Sequence, residues 1–243
     1  MASPLLSRDG MELCEAAGVF TLTMTRGENR VNPEFVALLS QALELVEAAP
    51  SPKVLVITSK GKFFCNGLDL EWMQTQKGDS LDMVESFWKC LARLLVMDCH
   101  TVAAINGHGF GAGMFLSLAC DWRVMQTGRG FLNFPEANLG MRLRKGFSEL
   151  AKCKLSPHTL RRGVLAAHRF SAEEALKCGV VDEVCSAEDL GRVAHEFALS
   201  KKPDALDLLR FSGHAFRQVK MELYTDAYRA LTGPGTAEPD SRL

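Results

Sequence analysis

The chain has 243 residues, 47% of them hydrophobic and 23% charged, with 28 Lys and Arg against 29 Asp and Glu. That composition is globular and excludes disordered, collagenous and coiled-coil chains, and the length suffices for one large core. A net charge of −1 gives no electrostatic footprint for nucleic acid or an acidic membrane, and neither is expected as a partner.

In chain order, Gly18–Arg26 alternates apolar and polar residues and reads as a strand. Asn32-Pro33 supplies a cap and a first-turn proline for a helix over Phe35–Val46, which Pro50 and Pro52 end. Lys53–Thr58 is a continuous apolar run, the mark of a strand covered on both faces. A polar loop over Ser59–Asp69 follows, then an amphipathic helix over Leu81–Met97, a buried strand over Thr101–Ile105 and an apolar helix over Gly111–Cys120. Trp122–Met125 and Phe131–Phe134 read as short strands. From Lys145 to Ala166 the pattern is helical, and Ser171-x-x-Glu174 is a capping box for a helix that stops at Gly179. Val180–Val184 reads as a strand, Ser186-x-x-Asp189 opens another helix, and Asp204–Leu231 is helical again. Thr232–Leu243, with Gly233, Pro234, Gly235 and Pro239, reads as a disordered tail.

The eight cysteines contain no C-x-x-C pair, which removes zinc-ribbon and thioredoxin-type readings, so no metal site is expected. Without a signal peptide they read as reduced thiols. Cys99–Cys120 runs 22 residues without Asp, Glu, Lys or Arg, but its central Asn106, His108 and four glycines argue against a membrane span.

Chemistry concentrates in three segments: Phe63–Leu70 (FFCNGLDL), Asn106–Asp121 (NGHGFGAGMFLSLACD) and Phe134–Gly140 (FPEANLG). Glycines at 107, 109, 111 and 113 permit positive φ and close approach to a ligand, with free N–H groups at a helix start; tight helix–strand packing is the alternative. The glycine string matches neither a P-loop nor G-x-G-x-x-G, because position 112 is Ala.

In this order and spacing the three segments, with Arg169–Val184 behind them, resemble the crotonase (enoyl-CoA hydratase/isomerase) superfamily over roughly residues 15 to 200. The resemblance implies an α/β fold, a spiral of β-β-α turns with a helical C-terminal part. The core and its oxyanion turn would occupy 1–144, the end of the core and the helical region 145–231, and a tail 232–243. It also implies an acyl-CoA thioester substrate, no cofactor beyond that coenzyme A, and a homotrimer or hexamer. The thioester oxygen would be held by the N–H groups of Leu68 and Ala112, each worth ~3–4 kcal/mol to an enolate. Cys65, Asn66, Gly67, Leu68, Asp69, Gly111, Ala112, Phe115 and Pro135 would bind substrate.

Hydratases of the family carry two glutamates. Here the first position is Phe115 and the second is Glu136. One carboxylate moves a proton between two carbons more readily than it manages both water and an α-proton, so the pattern resembles the Δ3,Δ2-enoyl-CoA isomerases, with Glu136 as base. Hydration, other crotonase-type chemistry and silent acyl-CoA binding are the alternatives. Asp69 also reads as a loop or helix cap, Cys65 as packing and His108 as a structural hydrogen-bonding residue. Arg30, Lys60, Lys62, Arg142, Arg144 and Lys145 are candidates for the coenzyme phosphates. The terminal Ser241-Arg242-Leu243 keeps the small, basic, Leu pattern of a peroxisomal address, which implies an import receptor as partner.

Overall fold

The computed structural model describes residues 4–75, 79–199 and 210–233. β1 (Leu6–Arg8), β2 (Met11–Ala16) and β3 (Val19–Met24) form an antiparallel meander. Helix α1 (Pro33–Ala48) follows; the Asn32 side chain accepts from the Phe35 N–H at 3.0 Å, and Pro33 fills the first turn.

Three turns of one plan come next: a long strand, a short strand, then helix. The first holds β4 (Val54–Ser59), β5 (Phe63–Cys65), α2 (Leu70–Thr75) and α3 (Asp79–Leu95). The second holds β6 (His100–Ile105), β7 (His108–Phe110) and α4 (Ala112–Ala119), and the third β8 (Trp122–Gln126), β9 (Leu132–Asn133) and α5 (Glu136–Leu139). Then come α6 (Lys145–Lys154), α7 (Pro157–Leu160), a π-helical turn over Arg161–Leu165, α8 (Ala172–Lys177), β10 (Glu183–Cys185), α9 (Leu190–Ala198), α10 (His214–Leu223) and α11 (Thr225–Thr232). The long strands form a sheet in the order β1-β2-β3-β4-β6-β8-β10, parallel from β3 onward. The short strands form a second parallel sheet, β5-β7-β9. Because these three run the same way, the segments that leave them gather at one edge. That edge carries the site.

Period-two alternation splits the core between the faces of the main sheet. Leu55, Ile57, Ala103, Ile105 and Met125 join the large cluster with α1 and α3. Val54, Val56, Val102, Ala104 and Val124 pack with Leu190, Val193, Ala194 and Ala198 of α9.

Several expectations need correction. β1 and β2 lie where no strand was expected, the loop over 59–69 contains β5, and the glycine turn contains β7. The helical stretch over 145–166 breaks at Ser156-Pro157, since a residue before proline is pushed out of the α region and Ser156 sits at ψ 152°. The strand expected over 180–184 is shifted to β10. The Ser171 capping box is formed, with both reciprocal bonds present. Among the described residues no helix is long and apolar enough to cross a membrane. Thr232 ends α11, while 204–209, within the expected last helical stretch, and 234–243 of the expected tail lie outside the described residues.

Candidate functional site

Two chain crossings build one wall of the site. Val31 forms a parallel bridge with Leu68 by donating to Gly67 O and accepting from the Asp69 N–H. Successive N–H groups of extended chain point opposite ways, so the bridge turns the Leu68 N–H away from Val31. At the start of α4, Gly111 has φ +50° and ψ −116°, a conformation only glycine adopts readily, and it presents the Ala112 N–H as a free helix-start donor. Neither N–H meets an acceptor among the described residues. Gly67, at φ +89°, locks the two crossings together: a Cβ there would stand 3.1 Å from Phe110 O and 3.8 Å from Ala112 N. Of the four turn glycines only Gly111 has positive φ; a Cβ on Gly113 would overlap the Cys65 carbonyl, so packing explains that one.

The third crossing supplies the carboxylate. α5 is a single turn closed by Gly140 in the left-handed region, and Glu136 is its first residue. A Cβ on Gly111 would meet Glu136 Oε1 at 3.9 Å, so the carboxylate faces the α4 turn. Its Oε2 is buried without a partner. Burial pushes the Glu136 carboxyl above its ordinary value, and no cation offsets it. A partly desolvated, unpaired carboxylate is a competent proton acceptor near neutral pH.

The space between these groups is a cavity of about 80 Å³. Asn66, Gly67, Leu68, Gly111, Ala112, Pro135 and Glu136 line it, as do Leu70, Phe110, Leu139, Met141 and Phe147. Three residues expected at the substrate stand elsewhere. Cys65 is fully buried behind the wall, and burial pushes its thiol up to about 12, which removes it as a nucleophile. Asp69 caps α2, accepting from the Trp72 N–H at 3.1 Å and from Asn32 Nδ2 at 3.4 Å. Phe115 does not reach the cavity; its ring stacks on Phe147 at 4.2 Å and 18°, with Phe134 at 5.2 Å. Phe147 is the wall residue, and Phe115 fixes it from behind. Neither Phe110 nor Phe147 was expected at the site; Phe110 is marked by the glycines on either side of it, whereas Phe147 carries no local signal, since α6 reaches the cavity only through tertiary packing.

His108 sits in β7 among Phe63, Phe110 and Phe131, and burial with nearby Lys62, Arg169 and Arg129 lowers its pKa. It does not line the cavity. Among the candidate phosphate ligands, Arg30 pairs with Glu28, Lys60 stands 3.8 Å from Glu12, and Lys62 lies over the Phe63 ring. Arg142 and Lys145 are exposed on the segment after Met141, with Arg144 between them. Among the described residues no group of three His, Cys, Asp or Glu side chains could hold a metal.

The family described as enoyl-CoA hydratase/isomerase matches residues 15–232. The chain is 33% identical over 217 residues to the Arabidopsis thaliana enoyl-CoA delta isomerase 2, peroxisomal, with 86% of this chain and 89% of that protein covered. It is 30% identical over 228 residues to a Salmonella typhimurium carnitinyl-CoA dehydratase, covering 92% and 86%. The apo structure of the Mtb enoyl-CoA isomerase superposes with a TM-score of 0.85 at 25% identity, covering 96% and 99% of the two chains. A Mycobacterium marinum enoyl-CoA hydratase gives 0.83 at 23% identity, covering 93% and 97%, and so shares the fold. With the model matching most of the chain, and with paired free N–H groups facing a lone carboxylate, the protein belongs to the enoyl-CoA hydratase/isomerase family and is a crotonase-fold enzyme.

Proposed function

We propose that the protein isomerises 3-enoyl-CoA to trans-2-enoyl-CoA. One observation carries the reading: among the described residues the cavity is lined by a single carboxylate, Glu136, and the position that by the family resemblance would hold the other glutamate of a hydratase is the buried Phe115. The Leu68 and Ala112 N–H groups bind the thioester oxygen and take up the negative charge of the dienolate. Glu136 removes a proton from C2 and, as the acid so formed, returns it to C4. No second base is needed, because the same proton leaves and returns. The coenzyme A is part of the substrate, and no further cofactor enters. Relatives named enoyl-CoA delta isomerase support this choice over hydration, and the carnitinyl-CoA dehydratase is the relative that keeps water chemistry in the test.

The test follows ultraviolet absorbance with 3-enoyl-CoA and with 2-enoyl-CoA. Wild-type enzyme converts the first without hydrating the second, and Glu136→Gln binds acyl-CoA but loses ~10²–10⁴-fold in turnover. Retention of more than about a tenth of the activity would remove Glu136 as the base. Binding without any turnover by the wild type would make the protein an acyl-CoA binder. Two Arabidopsis thaliana relatives, enoyl-CoA delta isomerases 1 and 2, carry a peroxisomal label, which supports peroxisomal residence.

A further inference from the structure

The catalytic cavity, at about 80 Å³, is far smaller than the roughly 300–1,000 Å³ of sites that enclose a whole small molecule. An acyl chain that continues past the reacting carbons must therefore leave it, and its course follows from where those carbons sit. The first two crossings hold the thioester oxygen through Leu68 and Ala112, and C2 and C4 lie at Glu136 on the third. Beyond C4 the chain runs on toward the residues that line the cavity from the end of α5 and from α6: Leu139, Met141 and Phe147. Among the described residues no charged group besides Glu136 lines the cavity, so this stretch suits hydrocarbon.

The way inward is closed. Phe147 is 5% exposed, with its ring stacked on Phe115 at 4.2 Å and edge-on to Trp88 at 5.5 Å. A Cβ on the preceding Gly146 would stand 2.9 Å from the Trp88 ring, so α6 is already pressed against α3 and the wall has no room to retreat. The way outward is open. Leu139 and Met141 stand 54% and 40% exposed at the mouth. They are also fixed relative to the base: Gly140, in the left-handed region, closes α5 between them, and the Met141 N–H donates to the Glu136 carbonyl at 2.9 Å. Two large apolar side chains thus face water on the one route the chain can take, and covering them stabilises whatever covers them.

We propose that Leu139 and Met141 are specificity-determining residues, a track for the distal acyl chain that favours medium- and long-chain thioesters over short ones, with Phe147 as the stop that turns the chain onto it. The proposal rests on the isomerase reading for the position of C2 and C4, and it adds the substrate class. A chain that ends inside the cavity leaves the exposed sides of Leu139 and Met141 wet and gains nothing from them.

The experiment is a calorimetric titration of the full-length protein with butanoyl-CoA and with dodecanoyl-CoA, below the micelle concentration of the latter. The ratio of the two affinities is read, which cancels the contribution of the coenzyme. Wild type is expected to favour dodecanoyl-CoA by about tenfold or more, an advantage that two fully buried methylenes would already supply. In Leu139→Ser/Met141→Ser the advantage should fall to about threefold or less, whereas Leu139→Ile/Met141→Leu should keep it. Both side chains are exposed, so the serine variant should melt at the wild-type temperature. Saturated chains are not turned over, so an intact ratio in a protein that fails to isomerise 3-enoyl-CoA would support the track and count against the reaction alone. Equal affinities in the wild type would overturn the proposal. So would a chain-length advantage that survives the serine variant, and if that variant also sediments at a lower mass, the rim is a contact between subunits instead.

Discussion

At the scale of single residues, the discomfort of Glu136 is itself measurable. Burial raises its pKa in the folded protein, so the ionised form is less favourable there than in the unfolded chain. By linkage, that destabilisation is absent at pH values below the unfolded carboxyl value and appears as pH rises above it. Glu136→Gln is therefore expected to melt at or above the wild-type temperature at neutral pH, with the difference shrinking near pH 4; a lower melting temperature at pH 7 would contradict it. The same shift sets the activity profile. The base must be ionised, so kcat/KM should rise through an acid limb lying above an ordinary glutamate, and that limb should be missing from the residual activity of Glu136→Gln. Phe115 makes the opposite case. Its ring is fully buried between Phe147 and Phe134, and Phe115→Glu would bury an unpaired carboxylate at a cost of several kcal/mol. A large fall in melting temperature is expected, not conversion into a hydratase. Phe115→Leu keeps the site apolar; hydratase activity rivalling isomerisation in that variant would mean water has a base other than Glu136.

Among elements, α10 is attached to the sheet by a buried lysine, beside the Phe216 ring packed 4.4 Å from that of His100. Lys220 Nζ donates to Asp121 Oδ2 at 2.6 Å and to the Cys99 carbonyl at 2.8 Å, joining the helix to the ends of β6 and β8. Burial works to raise the Asp121 carboxyl, but Lys220 prevails and holds it well below the usual carboxylate range. Its stabilising contribution is thus complete above the unfolded carboxyl value and is lost as pH falls through the lower folded one. Lys220→Met takes the ammonium from that buried carboxylate and leaves it the Thr101 N–H at 2.9 Å and hydroxyl at 3.2 Å, so a loss of about 3 kcal/mol is expected in chemical unfolding at pH 7. Ser171→Ala, which removes only the cap of α8, should cost about 1 kcal/mol. Comparable losses from the two would refute the anchoring role. The sequence carried the elements whose signal is local: β4 and β6 through unbroken apolar runs, α1 through Asn32-Pro33, α8 through its capping box. It did not carry β5 or β7, which are three residues long and exist because the neighbouring turn of the spiral pairs with them. The site divides the same way. Its three crossings were legible because glycine and Pro-Glu mark them, and Leu139 and Met141 come with the third, whereas Phe147 arrives by packing alone.

For the molecule as a whole, the two ends of the helical region pose different questions. Ser241-Arg242-Leu243, expected from its small, basic, Leu pattern to act as an address, lies outside the described residues. Deleting it should leave turnover and melting temperature unchanged while a fluorescent fusion becomes cytosolic; continued peroxisomal import would place the signal elsewhere. The other question is assembly. The trimer is an expectation from the family resemblance, and we propose α10 as a surface for it. Lys220 fixes one side of that helix to the core, while Val219 and Leu223, one turn apart, stand 62% and 67% exposed. Two large apolar side chains at i and i+4 on a helix that is otherwise anchored form a stripe that water covers poorly, and such stripes mark contact with a partner. Replacing both with glutamate places like charges on the same spot of every protomer. Neither side chain belongs to the core, so the fold should survive while association is lost. Sedimentation should then report the mass of a single chain for Val219→Glu/Leu223→Glu and a trimeric or hexameric mass for the wild type, with unchanged far-ultraviolet circular dichroism. An intact oligomer in the double variant would show that the subunits meet through some face other than α10.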